Sequence, residues 1–564
     1  MKQNFLPALL SALAVWSLCE GLQLPPASRY GLWMAALFAL VWLLGRRWLS
    51  LSDGKLKAYT AVFGFGLAAC LLLGQRMEQV GTVAGEGMIW LIIAMLCFTP
   101  AAGSLFAMGA QRMLQPHEAK APRMSSRSFF WLSFGVILLG WTVIFLSLYP
   151  GVFAYDALNQ LVQGVDAPYN KHHPLLHTLM MNFFIRWGQS IGNANLGIAA
   201  NAVVQMILMS LSCAYSLKVI RREGCPKPVY ITALAMFALL PFHGAMAVST
   251  AKDPLFAAAV LWTVTLLFEG FRTRGWTWWM KMAVATALTC LSRNNGLYAL
   301  IVMMALGVIL CRKSGIRCLC AVLAGLVLYT GVNAGVDAIL QPKVGKSREF
   351  LSVPIQQMAR AAWNHPEWQQ DADFKALFQG ELEYEPLISD PAKEIFRTDG
   401  ETPFSQVIRL WLRMFREYPA EYVDAFLIMS RGWWDINDLT HSTLYGGWAG
   451  YMQLNVFGGQ GVERRPILPF MAGMYEDLLH FNGYQKLPVL NLLFAPAMWI
   501  WLNLFILMTA MYGKRRDVLL PALLLLGVTA TILMGPCVLM RYAYPVMLSV
   551  PALAGMLASQ NVTK

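Results

Sequence analysis

One aspartate and a cluster of basic side chains follow the fifth long apolar stretch of the chain. Asp156 comes first, and Lys171, His172, His173 and His177 follow it closely. A carboxylate at a membrane surface can accept a proton from an attacking hydroxyl. Imidazoles can bind a phosphate or a sugar hydroxyl. The cluster therefore predicts an enzyme whose substrate lies at the edge of the bilayer, with Asp156 as its catalytic residue.

Structural roles for the same residues stay open. Asp156 precedes a short helical pattern and could cap that helix through its carboxylate. His173 and His177 are four residues apart, a spacing found in zinc sites, but no Glu lies between them and the intervening residues are Pro-Leu-Leu. We therefore predict no zinc site at these histidines, which either bind substrate or make structural hydrogen bonds.

Further charged groups stand where apolar stretches end. Cations there, on what we interpret as the outer side, run against the preference of positive residues for the cytoplasm, which suggests anionic partners. Arginine binds phosphate with two parallel hydrogen bonds. The residues predicted to bind a phosphate or a sugar are Lys171, His172, His173, His177, Lys252, Asp253, Arg293, Asn294, Arg348, Glu349, Arg541 and Tyr542.

Composition identifies the class of protein that positions these residues. Of 564 residues, 57% are hydrophobic and 13% are charged, and the mean hydropathy is +0.50. An ordinary soluble domain carries about 25% charged residues, so this class is excluded. Long apolar runs predict an all-α polytopic membrane protein with about fourteen transmembrane helices. These runs are 5–22, 31–45, 58–74, 87–109, 129–149, 196–219, 229–247, 254–271, 277–291, 297–311, 317–339, 487–511, 518–535 and 540–557.

The net charge of +13 is explained by topology. Basic clusters fall in alternate loops, and the positive-inside rule places those loops in the cytoplasm. The loops that carry the chemical residues then lie outside, provided that 174–188 is an amphipathic helix on the outer surface and not a span. We expect both termini in the cytoplasm, and nothing in the charge pattern supports nucleic-acid binding.

The chain divides into five predicted segments. Apolar runs, a basic linker and one long polar stretch set the boundaries. The segments are an N-terminal four-helix membrane module at 1–110, a cytoplasmic linker at 111–128, a membrane core at 129–339 with the catalytic outer loop 149–195, an extracytoplasmic, mainly helical segment at 340–486 and a C-terminal three-helix membrane segment at 487–564.

These residues resemble the GT-C superfamily of multi-spanning glycosyltransferases, and in particular a group of bacterial membrane proteins assigned to that fold. Tyr155-Asp156 is similar to its catalytic aspartate, and His172-His173-Pro174-Leu175-Leu176 to its surface-helix motif. The resemblance covers 129–557, and the first four helices have no counterpart. No second Asp follows Asp156 in an Asp-x-Asp pattern, and Leu175 replaces one proline. The other matching segments are Thr250–Pro254, Ser292–Gly296, Ser352–Gln357 and Arg541–Pro545.

The resemblance implies an inverting glycosyltransferase with a polyprenyl-phosphate sugar donor. Transfer to a cell-envelope glycan or lipid acceptor would take place on the outer face of the bacterial cytoplasmic membrane. Asp156 would be the general base, and Lys171, Lys252, Arg293, Arg348 and Arg541 would hold the leaving phosphate. Asp253 and Glu349 would position the sugar or a metal. No cofactor is identified, and a divalent metal stays open.

Two alternatives to this function are retained. A lipid-linked polysaccharide ligase or polymerase would share the fold and the donor but use another acceptor. A transporter or flippase of lipid or sugar would need charged residues along a path through the helices. In this chain the charges gather in the outer loops and the helix middles are nearly free of them, which favours an enzyme.

Overall fold

The protein is an α-helical, multi-pass membrane protein. Its computed structural model describes residues 2–116, 124–154, 156–164, 166–273, 275–343, 350–397, 404–438, 452–453, 461–479, 487 and 489–559.

Five helices make up the N-terminal part. Capping residues define some of their ends: Asp53 accepts hydrogen bonds from the backbone N–H groups of Lys55 and Leu56, and Gly81 ends the same helix with a left-handed φ of 74°. The helices are α1 (Lys2–Gly21), α2 (Pro26–Arg29), α3 (Leu32–Leu49), α4 (Gly54–Val80) and α5 (Met88–Met113).

The described residues in the middle of the chain form nine helices and one short strand. The strand, β1 (Phe153–Ala154), pairs antiparallel with β2 (Met452–Gln453). The helices are α6 (Ser126–Ser147), α7 (Ala157–Leu161), α8 (Leu175–Ser190), α9 (Ala194–Arg222), α10 (Lys227–Leu239), α11 (Pro241–Ala247), α12 (Asp253–Gly270), α13 (Trp276–Ser292) and α14 (Asn295–Leu340).

The remaining helices belong to the long polar stretch and the C-terminal part. The polar stretch contains α15 (Ser352–Asn364), α16 (Ala372–Leu377), α17 (Asp390–Glu394), α18 (Phe404–Glu417), α19 (Pro419–Ser430) and two 3-10 turns, Pro366–Gln370 and Arg431–Trp433. The C-terminal part contains α20 (Pro469–Leu479), a 3-10 turn at Leu490–Phe494, α21 (Pro496–Tyr512), α22 (Arg516–Leu533) and α23 (Met540–Ala558).

The described residues do not match the predicted count of fourteen spans. Among the described residues, nine helices are long and apolar enough to cross a membrane, or ten if α10 and α11, bent by 54°, form one broken span. Helices α13 and α21 have 17 residues each, short of the roughly 20 that a span needs. The first half of α14, Asn295–Cys311, is equally short, and Arg541 lowers the hydropathy of α23.

Helix α14 folds back on itself between its two apolar halves. A Cβ built on Gly307 would lie 3.2 Å from Leu319 Cδ2. Twelve residues of straight helix would separate these positions by about 18 Å. The chain therefore reverses direction between Cys311 and Gly315, and both ends of α14 lie at the same end of the helix bundle.

The chain forms two compact units. The first comprises 1–115, 347–441 and 533–538, and the second comprises 116–346, 442–532 and 539–564. In the first unit, the backbone N–H of Val83 donates to Asp424 and Arg360 donates to the carbonyl of Gly81, so part of the polar stretch packs on the loop after α4. The second unit contains the charged cluster described next.

Candidate functional site

Backbone hydrogen bonds align the segment before Asp156 with the segment before Lys252. The N–H of Val152 donates to the carbonyl of Val248 at 3.0 Å, and the N–H of Thr250 donates to the carbonyl of Val152 at 2.9 Å. The N–H of Ala154 donates to the Thr250 hydroxyl at 2.9 Å. These three bonds fix the register between the two segments and bring the residues that follow them together.

The carboxylate of Asp156 lies between two cations. Its Oδ2 accepts from Lys252 Nζ at 3.1 Å and from Arg541 Nη1 at 3.2 Å. Asp156 occupies the position before α7, but its side chain makes no capping hydrogen bond. Among the described residues, no donor contacts Asp156 Oδ1. The capping interpretation is therefore wrong, and one oxygen stays open to a ligand.

Asp156 and Lys252 shift each other's pKa. Burial alone would raise the pKa of Asp156, but Lys252 and Arg541 outweigh it and hold this pKa well below its usual range. Burial lowers the pKa of Lys252, while Asp156 opposes that shift. Asp156 is thus ionised at any physiological pH.

A second aspartate joins the arginines to this pair. Asp253, the first residue of α12, is fully buried and forms an ion pair with Arg293 Nη1. Its Oδ2 lies 3.6 Å from Arg541 Nη1. Both guanidinium groups also contact the ring of Tyr542, with centroid distances of 4.6 Å for Arg293 and 5.0 Å for Arg541. Asp253 therefore orients the two arginines.

His173 extends the cluster on the other side of Lys252. Its Nδ1 lies 3.0 Å from Lys252 Nζ, and the exposed ring of His172 stands edge-on to it at 4.5 Å. Burial, and then the charge of Lys252, lower the pKa of His173 to about 2. The ring is consequently neutral.

His177 has a structural role. Its Nδ1 lies 2.8 Å from Gln160 Oε1, which also accepts from the Thr178 hydroxyl. Asn182 donates to the carbonyl of Gln160 at 3.0 Å, so α8 holds α7 through several bonds. Burial, and then Lys252, lower the pKa of His177 to about 4. The surface helix predicted at 174–188 is present as α8, and it is not among the candidate spans.

Lys171 and Asn294 lie at the periphery. Lys171 Nζ pairs with Asp337 at 2.6 Å, and Asn294 Nδ2 donates to the Lys171 carbonyl at 3.4 Å. These contacts fasten the loop before α8 to both ends of α14. Arg348 and Glu349 lie outside the described residues.

No group of three or more His, Cys, Asp or Glu side chains in the described part of the chain could hold a metal ion. His173 Nδ1 is occupied by Lys252 and His177 Nδ1 by Gln160, so the zinc spacing in the sequence does not form a ligand pair through these atoms.

Two important residues were missed in the sequence analysis. Gln160 stands one helical turn after Asp156, where a polar residue facing the same side could have been noticed. Asp337 is an acidic residue in the last turns of an apolar helix, and such residues are rare without a partner.

Seven of the predicted residues meet at one end of the second unit. They are Asp156, His173, Lys252, Asp253, Arg293, Arg541 and Tyr542. The described members carry three cations and two carboxylates around a neutral imidazole, so the cluster has one surplus positive charge. A singly charged anion such as a phosphodiester would balance it.

One family model matches the chain. It is described as a family of unknown function (DUF6020), and it matches residues 165–563. No curated protein and no solved structure matches the chain. The matched region includes Lys252, Arg293 and Arg541 and begins after Asp156.

Proposed function

The chain belongs to this family of unknown function, and we propose that it is a glycosyltransferase of the membrane that moves a sugar from a polyprenyl-phosphate donor to a cell-envelope acceptor. The observation that carries the proposal is the placement of Asp156. One of its oxygens is held by two cations, and no donor among the described residues contacts the other. A GT-C-like core and a lipid-linked donor are part of the same proposal.

The reaction uses the two oxygens of Asp156 differently. The acceptor hydroxyl attacks the anomeric carbon and its proton passes to Oδ1 of Asp156. A new carbon–oxygen bond forms as the bond between the anomeric carbon and the phosphate oxygen breaks, with inversion. The electron pair stays on the phosphate, which Arg541, Lys252 and Arg293 stabilise.

Donor binding also strengthens the base. With its pKa held well below the usual range by Lys252 and Arg541, Asp156 is a weak proton acceptor before substrate binds. A donor phosphate that takes hydrogen bonds from the same cations weakens their effect on Asp156. The pKa of Asp156 then rises toward its usual range, and proton transfer becomes easier.

The outer face of the bacterial cytoplasmic membrane is the proposed location of the site. The basic loops that favour this orientation lie at the other ends of the same helices. Membrane vesicles of both orientations, given an impermeant acceptor, test it. Transfer in right-side-out vesicles alone supports the outer face, and transfer in inverted vesicles alone contradicts it.

The substitution Asp156→Asn tests the function. It keeps the size of the side chain and removes the base, so we expect transfer from a polyprenyl-phosphate sugar to fall about 100-fold or more. Asp166→Asn, in the same loop and exposed, is the matched control and should keep wild-type activity. Full activity of the Asp156→Asn variant would refute the general-base role.

A further inference from the structure

His173 carries a buried hydrogen-bond donor that no group in the described part of the chain accepts. The side chain is 3% exposed, and its Nε2 has no partner among those residues. Its Nδ1 lies 3.0 Å from Lys252 Nζ. An ammonium group only donates, so Nδ1 accepts and the hydrogen of the neutral ring is on Nε2.

Leaving such a donor buried and unpaired is unfavourable, and contact with a ligand is one way in which a protein satisfies such a group. The low pKa of His173, caused by burial and then by Lys252, keeps the ring neutral. The amine that fixes this tautomer also holds Asp156 Oδ2 at 3.1 Å. The orientation of His173 is therefore tied to that of the proposed base.

We propose that His173 Nε2–H donates a hydrogen bond to a hydroxyl of the sugar being transferred, which makes His173 a specificity-determining residue. The inference rests on the proposed function. A neutral donor suits a neutral hydroxyl, whereas the phosphate is better matched by the guanidinium of Arg541 and the ammonium of Lys252. The two parts of the donor are thus recognised by chemically different groups on either side of Asp156.

Two substitutions distinguish the contribution of the acceptor at Nδ1 from that of the donor at Nε2. His173→Asn can keep an oxygen near the position of Nδ1, as an acceptor for Lys252, and loses the donor at Nε2. His173→Gln can place an amide N–H near Nε2 and loses the acceptor at Nδ1. Asp166→Asn, at an exposed residue of the same loop outside the cluster, is the control.

Binding to the full-length protein in lipid nanodiscs measures the effect. The probes are undecaprenyl phosphate and a panel of undecaprenyl-phosphate hexoses, and thermal melting confirms that each variant is folded. For His173→Asn we expect the affinity for the preferred hexose lipid to fall roughly five- to tenfold, as for one lost neutral hydrogen bond. The affinity for the sugar-free lipid should change less than about twofold on the same reasoning. His173→Gln should recover part of the loss.

Several results would overturn the inference. Equal losses for both kinds of lipid would mean that Nε2–H contacts the phosphate. Unchanged affinity of the Asn and Gln variants for every hexose lipid, or a panel in which the sugar adds no affinity to the wild type, would remove the sugar contact. If the wild type binds neither kind of lipid, the proposed function itself fails, and this is visible without any variant.

Discussion

The second unit has a buried charged network at each end of the same helices, and the two networks differ in how completely they are satisfied. At one end, Asp253 begins α12 and Arg541 lies at the start of α23. At the other end, Glu269 lies in the last turn of α12, and Arg515 donates to the carbonyls of Met556, Leu557 and Ser559, where α23 ends.

At the far end, one arginine has all of its hydrogen-bond donors satisfied. Arg515 directs all five of its N–H groups to acceptors, three to backbone carbonyls and two to the Asp517 carboxylate. Asp517 also accepts from Arg272 at 2.7 Å, and Arg222 pairs with Glu269 at 2.9 Å. Such a network closes helix ends and stabilises the fold, and it leaves little for a ligand to bind.

The network around Asp156 is incomplete in the part of the chain that the structure describes. Asp156 Oδ1 and His173 Nε2 lack partners there. Only His173 Nε2 is so deeply buried that the missing hydrogen bond destabilises the folded state. Charge and burial alone therefore do not distinguish a functional cluster from a structural one. The cluster around Asp156 combines a partly exposed carboxylate oxygen and a buried imidazole donor, and neither has a partner among the described residues.

We expect the same kind of substitution to affect stability differently at the two ends. Asp517→Asn removes the negative charge and one of the two acceptor oxygens that pair with two buried guanidinium groups, so we expect a loss of about 3–5 kcal/mol in the free energy of unfolding. Asp156→Asn should lower the free energy of unfolding by less, because Asp156 is 18% exposed. After the substitution, Lys252 still has His173 as a partner and Arg541 still has Asp253.

Thermal and denaturant unfolding of both variants in the same detergent measure the difference. A larger loss for Asp156→Asn than for Asp517→Asn would mean that the cluster around Asp156 exists for stability.

Two buried histidines should make stability at the end around Asp156 depend on pH. His173 and His177 have folded pKa values of about 2 and about 4, below the ordinary value of 6.5. Because the unfolded chain takes up these protons first, stability is present above about pH 6.5 and is lost as the pH falls below it. Each ring should account for about 2 kcal/mol between pH 7 and pH 5. The depressed pKa of Asp156 keeps its ion pairs intact in this window.

Melting curves at pH 7, 6 and 5 test this. His173→Gln should lose less stability over the range than the wild type. An unchanged slope for His173→Gln would show that the folded and unfolded chains take up the proton on His173 over the same pH range.

Substitutions of Arg293 and Arg541 should change donor affinity only moderately, and they test whether these arginines bind the donor phosphate. Arg→Lys at 293 or 541 keeps the charge and loses the two-pronged geometry, and Arg→Ala loses both. Donor affinity should therefore decrease in the order wild type, Lys, Ala, with a loss of roughly tenfold for Ala. Arg515→Lys, at the far end, should lower stability and leave donor affinity unchanged.

Kinetics with varied lipid donor decide between the roles. Ala variants that keep the wild-type apparent donor affinity and lose acceptor affinity would place these arginines on the acceptor.

Much of the architecture could be predicted from the sequence. Apolar runs of sufficient length identify helices whatever their partners, because a polypeptide in lipid must satisfy its backbone groups internally. The count of spans failed because hydropathy alone does not report where a helix begins and ends: α13 and α21 are shorter than their apolar context suggests. Nor could the sequence reveal that residues 347–441 cluster with 1–115, since this depends on contacts between distant segments.

The sequence predicts which residues form the candidate site better than it predicts how these residues are arranged. Asp156, Lys252 and Arg541 were selected because each is a charged residue at the end of an apolar run. Their ion pairs span 96 and 385 positions of the chain, and no local pattern encodes such pairs. The roles of Asp253, as a buried anchor for two arginines, and of His177, as a partner of Gln160, depend on burial and could not be read from spacing.

The alignment of the two segments that carry Asp156 and Lys252 has an evolutionary consequence. It is made by backbone atoms and by the hydroxyl of Thr250, so most side chains along it can change without moving the two charged residues. Gly151 is an exception: its φ is 147° and a Cβ would lie 2.8 Å from the carbonyl oxygen of Val248. A lineage could therefore vary the loop around the site to accept new substrates, while Gly151 and Thr250 hold the charged residues in place.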